Sequence, residues 1–116
     1  MRFAVFGVAA LSASVAPTSI SKSAVIPTPN PQTVTSGSAV VTASGGTPAY
    51  TYAWTWLSGG TGITITSATS ASTTFSGTQS LDGTRLTGTA RCTVTDSLSA
   101  TATVDVPVQL YWPSIL

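Results

Sequence analysis

The 116-residue chain has no histidine, no glutamate and a single cysteine, Cys92. Histidine carries much of general acid–base catalysis near neutral pH and much of zinc ligation, so its absence closes a large part of enzymology. One cysteine makes no internal disulfide, and packing alone must hold the fold. Charge is equally scarce. Only 6% of the residues are charged, against roughly a quarter in ordinary soluble proteins. The acids are Asp82, Asp96 and Asp105 and the bases Arg2, Lys22, Arg85 and Arg91, for a net charge of +1. So small a balance gives no field that steers nucleic acid or an anionic membrane, and neither is expected as a partner. The longest apolar run is also far short of the ~20 residues of a membrane-spanning helix.

What the chain does have is hydroxyl groups. Ser and Thr together number 39, so contact with water rests on them. The length suits one domain with a core of its own.

At the amino terminus, Arg2, the apolar run 3–11 and the small residues ending at Ala16 have the outline of a secretory signal. Pro17 follows the best small-residue site directly, where proline hinders cleavage, and only one positive charge precedes the run. The segment is therefore expected to stay on the protein. Phe3, Val5, Phe6, Val8 and Leu11 then place apolar groups on both faces of an extended strand. Burying each contributes roughly 1.5–3 kcal/mol. Two destinations are open, an extra strand on the chain's own domain or an arm on a neighbouring subunit. Pro27, Pro29 and Pro31 follow within 26–32, disfavouring helix and favouring stiff extension at about 3.1 Å per residue.

From Gln32 onward apolar and hydroxyl residues alternate between turn signals, the period of half-buried antiparallel strands. Strands are expected over 32–35, 38–43, 50–57, 63–66 and 73–76, with Tyr50, Tyr52, Trp54 and Trp56 on one face of the third. The clearest pair comes last. Ala90, Cys92 and Val94 point one way and Thr89, Arg91, Thr93 and Thr95 the other, 96–99 turns the chain, and Ala102, Val104, Val106 and Val108 repeat the pattern. Pro107, of outward parity, is expected to confine its strand to an edge or a bulge. About seven short strands in about 80 residues predict an all-β fold of two antiparallel sheets packed face to face. The expected core includes Tyr52, Trp54, Phe75, Cys92, Val94 and Val104.

Trp54 in the third strand and the run Ala90-Arg91-Cys92-Thr93-Val94-Thr95-Asp96 resemble the immunoglobulin-like β-sandwich, whose third-strand tryptophan and sixth-strand cysteine fall at these places. Two departures exclude an antibody-type domain: Val40 or Val41 stands near the partner cysteine's place, and Ala90 replaces the tyrosine of the tyrosine corner. A closer resemblance is to small bacterial and phage immunoglobulin-like modules, carried by Gly45-Gly46-Thr47-Pro48-Ala49-Tyr50-Thr51-Tyr52-Ala53-Trp54 and Cys92-Thr93-Val94-Thr95-Asp96. That resemblance implies a place in a tailed-phage virion, as head decoration or a tail component.

Candidate sites are few. Cys92 has no histidine to activate it and an inward parity, which predict a core thiol. The three aspartates suit calcium by ligand type but not by spacing, and Asp82-Gly83 and Asp96-Ser97 read as turns. Gly59, Gly60 and Gly62 lack the lysine and helix of a phosphate loop. No metal or cofactor is expected. The aromatic strand is more plausibly core than a sugar platform, with Trp56 its most exposed member. Tyr111, Trp112, Ile115 and Leu116 follow the last expected strand, and Pro113 among them prevents simple strand continuation; large apolar groups at a terminus mark an interaction surface.

The expected organisation is an apolar arm and proline-rich spacer over 1–31, an immunoglobulin-like sandwich with that extended N-terminal arm over 32–110, and an aromatic tail over 111–116. The expected function is that of a non-enzymatic structural subunit, present in many copies in a virion. Phe3, Val5, Phe6, Val8, Leu11, Tyr111, Trp112, Ile115 and Leu116 are its expected assembly contacts with other capsid or tail subunits. Two alternatives stay open: a surface-displayed adhesion module that binds glycans, and a secreted bacterial protein that loses its first 16 residues.

Overall fold

A computed structural model describes residues 9–24, 32–80 and 83–113, and among them every regular element is a strand. In chain order these are β1 (Ser12–Ala16), β2 (Ile20–Ser23), β3 (Gln32–Thr35), β4 (Ala39–Ser44), β5 (Thr51–Gly59), β6 (Thr64–Ile65), β7 (Ser72–Thr73), β8 (Phe75–Gln79), β9 (Thr84–Thr95) and β10 (Thr101–Trp112). They form a four-stranded sheet, β2-β10-β9-β5, and two three-stranded sheets, β1-β4-β7 and β3-β8-β6. All pairings are antiparallel except that of β2 with β10.

Alternation sets the β9–β10 hairpin. Ala90, Cys92, Val94, Val106, Val108, Leu110 and Trp112 are buried on one side, while threonines take much of the other. The ladder runs from Thr101 opposite Thr95 to Trp112 opposite Thr84, well beyond the expected 89–95 and 102–108. The extension passes through Gly88, which interrupts the apolar pattern at an inward position. A Cβ at Gly88 would stand 2.8 Å from the Trp56 ring and closer still to the backbone of Gly60. The indole thus occupies the room that a side chain at 88 would need.

The sheets face each other across one core. Phe75 of β8 meets Trp54 and Trp56 of β5 with ring centroids 6.0 and 5.8 Å apart. Val34, Ala39, Val41 and Ile63 are buried with them, and Tyr52 and Val104 pack against this core half-buried. β5 bends at a register shift between Trp56 and Ser58. Trp56 lies against the core instead of lining a sugar platform.

Both ends of the body differ from the expected division. The arm assigned to 1–31 contributes two strands: β1 pairs with β4 over five residues, and β2 pairs in parallel with β10 at Val108–Tyr111. Leu11, Ala13 and Val15 pack against the core, and Ile20 is buried within it. At the other end, Tyr111 and Trp112 belong to β10. Trp112 is 3% exposed, and its indole N–H donates to the Gln32 carbonyl at 2.9 Å. Trp112 is therefore a core residue rather than an assembly contact, and Leu11 is half-buried against the core. β10 is also an edge only as far as Pro107. Pairing with β2 begins at the next residue, so the proline falls where a missing N–H is tolerated.

Trp112→Ala is expected to cost about 3–5 kcal/mol, the range for emptying a buried aromatic site. An exposed tail residue would change stability by less than ~0.5 kcal/mol. Urea unfolding midpoints of the two proteins decide between them.

Candidate functional site

Three surfaces are candidates: the two poles of the body and the outward face of the four-stranded sheet. At the first pole the chain emerges from residues 1–8 and meets two turns. The Gly46 N–H donates to the Ala9 carbonyl at 2.7 Å, Tyr50 Oη donates to the Gly45 carbonyl at 2.6 Å, and the Ser97 N–H donates to the Thr47 carbonyl at 2.9 Å. Gly45 and Gly46 have φ of +70° and +56°, and a Cβ on either would collide, with the Ala9–Ala10 backbone or with Asp96. Only glycine lets the N-terminal segment lie this close to the turn.

Asp96 binds this pole together. One carboxylate oxygen accepts from the Thr47 N–H at 2.9 Å, and the other accepts from Leu98 at 2.9 Å and Ala100 at 2.8 Å. Asp96 is only 7% exposed. The bond from Thr47, with those from Ala100 and Leu98, holds its pKa below the ordinary carboxylate range. Sequence reasoning identified Asp96 as a turn residue but not its reach across to Thr47, a partner 49 positions away. Beside it, Leu98 is 75% exposed at the hairpin tip.

At the second pole the Ala24 N–H donates to the Tyr111 carbonyl at 2.8 Å, and the Gly83 N–H donates to the Trp112 carbonyl. The Arg85 guanidinium lies 4.7 Å from the Tyr111 ring centroid, a cation–π contact that leaves the tyrosine half-buried. Phe3, Val5, Phe6, Val8, Ile115 and Leu116 lie outside the described residues, as do Asp82 and the prolines of the expected spacer.

Across the outward sheet face, strand register aligns side chains in rows: Thr51-Thr95-Thr101, Ala53-Thr93-Thr103, Thr55-Arg91-Asp105, Ser58-Thr89-Pro107 and Thr87-Gln109-Ser21. Rows repeat at about 6.6 Å along the strands, with about 4.8 Å between neighbours. The third row contains an ion pair: Arg91 Nε donates to one Asp105 oxygen at 2.7 Å and a terminal guanidinium nitrogen to the other at 3.1 Å. Arg91 lowers the Asp105 pKa, and Asp105 raises that of Arg91. The pair is half exposed, so it adds little to stability. Its signal was present in the sequence: a turn that sets Thr95 opposite Thr101 also sets Arg91 opposite Asp105. The last two rows open into a shallow groove of about 480 Å³ between β2 and β5, walled by Ser19, Ser21, Ser58, Thr87, Thr89 and Gln109 around Pro107.

Cys92 is fully buried opposite Trp54, and burial pushes its thiol pKa up, away from the reactive thiolate. Asp96 and Asp105 spend their oxygens on backbone N–H groups and on Arg91, and no group of metal-ligating side chains forms among the described residues.

The lowered pKa values of Asp96 and Asp105 set the acid response. Each carboxylate stabilises the fold fully above its unfolded pKa, about 3.9, and loses that contribution as pH falls through the lower folded value. The urea midpoint is expected to drop below about pH 4. In Asp96→Asn it should start lower at neutral pH and fall less in acid. A wild-type-like acid slope in that variant would refute the assignment.

Comparison with protein-family models, with curated proteins and with solved structures returns no match.

Proposed function

We propose that the protein is a non-enzymatic structural subunit of a many-copy assembly, and that its body is an immunoglobulin-like two-sheet sandwich serving as a rigid mount. Trp54 stands opposite Cys92 on adjacent strands, which supports the sandwich. A tailed-phage virion, with capsid or tail proteins as neighbours, is the setting that the resemblance of 45–54 and 92–96 favours.

One observation carries this reading. The chain enters the body at the Asp96 pole and leaves it at the Trp112 pole, separated by the length of β10, about 36 Å for its 12 residues. The apolar sequences before Ala9 and after Pro113 are thus joined to the body at opposite ends, which suits contacts with two different neighbours. The proposed contacts are Phe3, Val5, Phe6 and Val8 of the N-terminal sequence and Tyr111, Ile115 and Leu116 of the C-terminal one. Each buried apolar side chain contributes roughly 1.5–3 kcal/mol, and repetition over many copies multiplies the effect through avidity.

Deletion of residues 1–8 tests the reading and spares β1. The shortened chain is expected to keep its thermal midpoint and to lose incorporation into particles, measured as copies per particle after purification. Unchanged incorporation would refute attachment through the arm.

The hydroxyl-lined groove favours a second reading, binding of a neutral glycan chain. Because Trp56 packs on Phe75, the informative variant is Gln109→Ala in the groove. Saturable binding on a glycan array, lost in that variant while the thermal midpoint is kept, is the expected result of this second reading.

A further inference from the structure

β1 and β2 are both outermost strands. β1 hydrogen-bonds to β4 and β2 to β10, and neither is inserted between two others. Segment 9–24 therefore leaves every other ladder intact when it is removed. The strands that receive it, Ala39–Ser44 and Val108–Tyr111, both lie after residue 32. The body after residue 32 thus holds a complete seat for the segment, and a second copy's segment fits that seat with the same contacts.

The connection to the body distinguishes this chain from any protein with an outer first strand. Ala24 is tied to Tyr111 and Gln32 to Trp112, adjacent residues of β10. β2 and β3 approach within 8 Å of each other, so the gap to be joined is of the order of a sheet-to-sheet spacing, about 10 Å. Residues 25–31 include Pro27, Pro29 and Pro31. Such a sequence favours polyproline-like extension, about 22 Å for this length at 3.1 Å per residue. The favoured reach is about twice the gap. Closing the segment onto its own body works against that preference, whereas reaching a second body agrees with it.

We propose that segment 9–24 exchanges between two copies of this chain, β1 and β2 of each seating on β4 and β10 of the other. Hydrogen bonds and buried groups are the same in the exchanged and unexchanged forms. The balance between them is set by the connection and by concentration, as in other swapped dimers. The exchange joins copies of this chain alone, so it stands or falls independently of arm attachment to a particle.

Ser12 and Ser44 provide the test. They are register partners on β1 and β4, both exposed, with hydroxyl oxygens 2.8 Å apart. Cysteines at such a pair meet the spacing of a disulfide. S12C and S44C are made separately, mixed, unfolded in denaturant, refolded together at high concentration and then oxidised, with Cys92 shielded in the core. A covalent two-chain species holding one copy of each is expected on a non-reducing gel, in up to about half of the chains, the statistical share of mixed pairs in a closed dimer. The double variant S12C/S44C, refolded dilute, is expected to close within one chain. If it does so while the mixture stays single-chain at every concentration, the exchange is refuted.

Light scattering of the unmodified chain supplies a second readout, a dimer fraction that rises with the concentration of refolding and persists on dilution. An exclusively monomeric protein overturns the proposal. P27S/P29S/P31S is expected to lower the two-chain yield several-fold, and an equal yield would overturn the role given to the prolines.

Discussion

Strands β9 and β10 are joined over their full 12-residue lengths, and the remaining elements take their places from that ladder. Its alternation sends Cys92, Val94, Val106, Val108 and Leu110 inward. β5 then pairs on one flank with Trp54 opposite Cys92, and β2 on the other with Ile20 opposite Val108. Phe75 reaches across from the facing sheet to both tryptophans of β5. No disulfide holds this arrangement, and the single ion pair among the described residues lies half exposed on the outward face. Register is therefore fixed by burial. A slip of one residue between β9 and β10 would send the whole inward set of one strand to solvent and bring threonines into the core.

The parts of the fold that were legible in the sequence are those where this alternation is strong. The final hairpin, the placement of Trp54 and Phe75 and the strand after Ser36-Gly37 all rest on large inward residues between hydroxyl-bearing outward ones. β1 and β2 were hidden for a physical reason. Ser12–Ala16 alternates only serine with alanine and valine, and both strands pair with partners remote in the chain, β2 with one 88 positions away in parallel. Such pairing leaves no local turn to signal it. Trp112 falls outside the expected strand because Pro113 directly follows it as a breaker, whereas β10 in fact runs on through Trp112. At the candidate surfaces, the turn role of Asp96 was legible, but its bond to Thr47 depends on two turns brought together only by the fold.

The first two strands also cover sheet edges. Each closes an otherwise open flank, β1 that of β4 and β2 that of β10 from Val108 onward. Uncovered strand edges are templates for uncontrolled association, which many proteins suppress with charged side chains. This chain has almost none to spend. Cleavage after Ala16 would remove β1 entirely, together with the packing of Leu11, Ala13 and Val15.

Scarcity of charge then constrains how any partner is selected. Electrostatic complementarity is a common device for excluding wrong neighbours, and it has little to act on where the outward sheet face presents rows of threonine around one neutralised ion pair. Hydroxyls on such a face suit strand geometry and keep contact with water, but they discriminate poorly. On the proposed reading, selectivity comes from shape and from the points where apolar segments join the body. In this body those points are the two poles, fixed by Asp96 and its three N–H donors at one end and by the Trp112–Gln32 bond at the other. If the body serves as the proposed mount, these bonds fix the two points to which the chain ends are joined, and a neighbour would be chosen by that geometry where charge offers little choice.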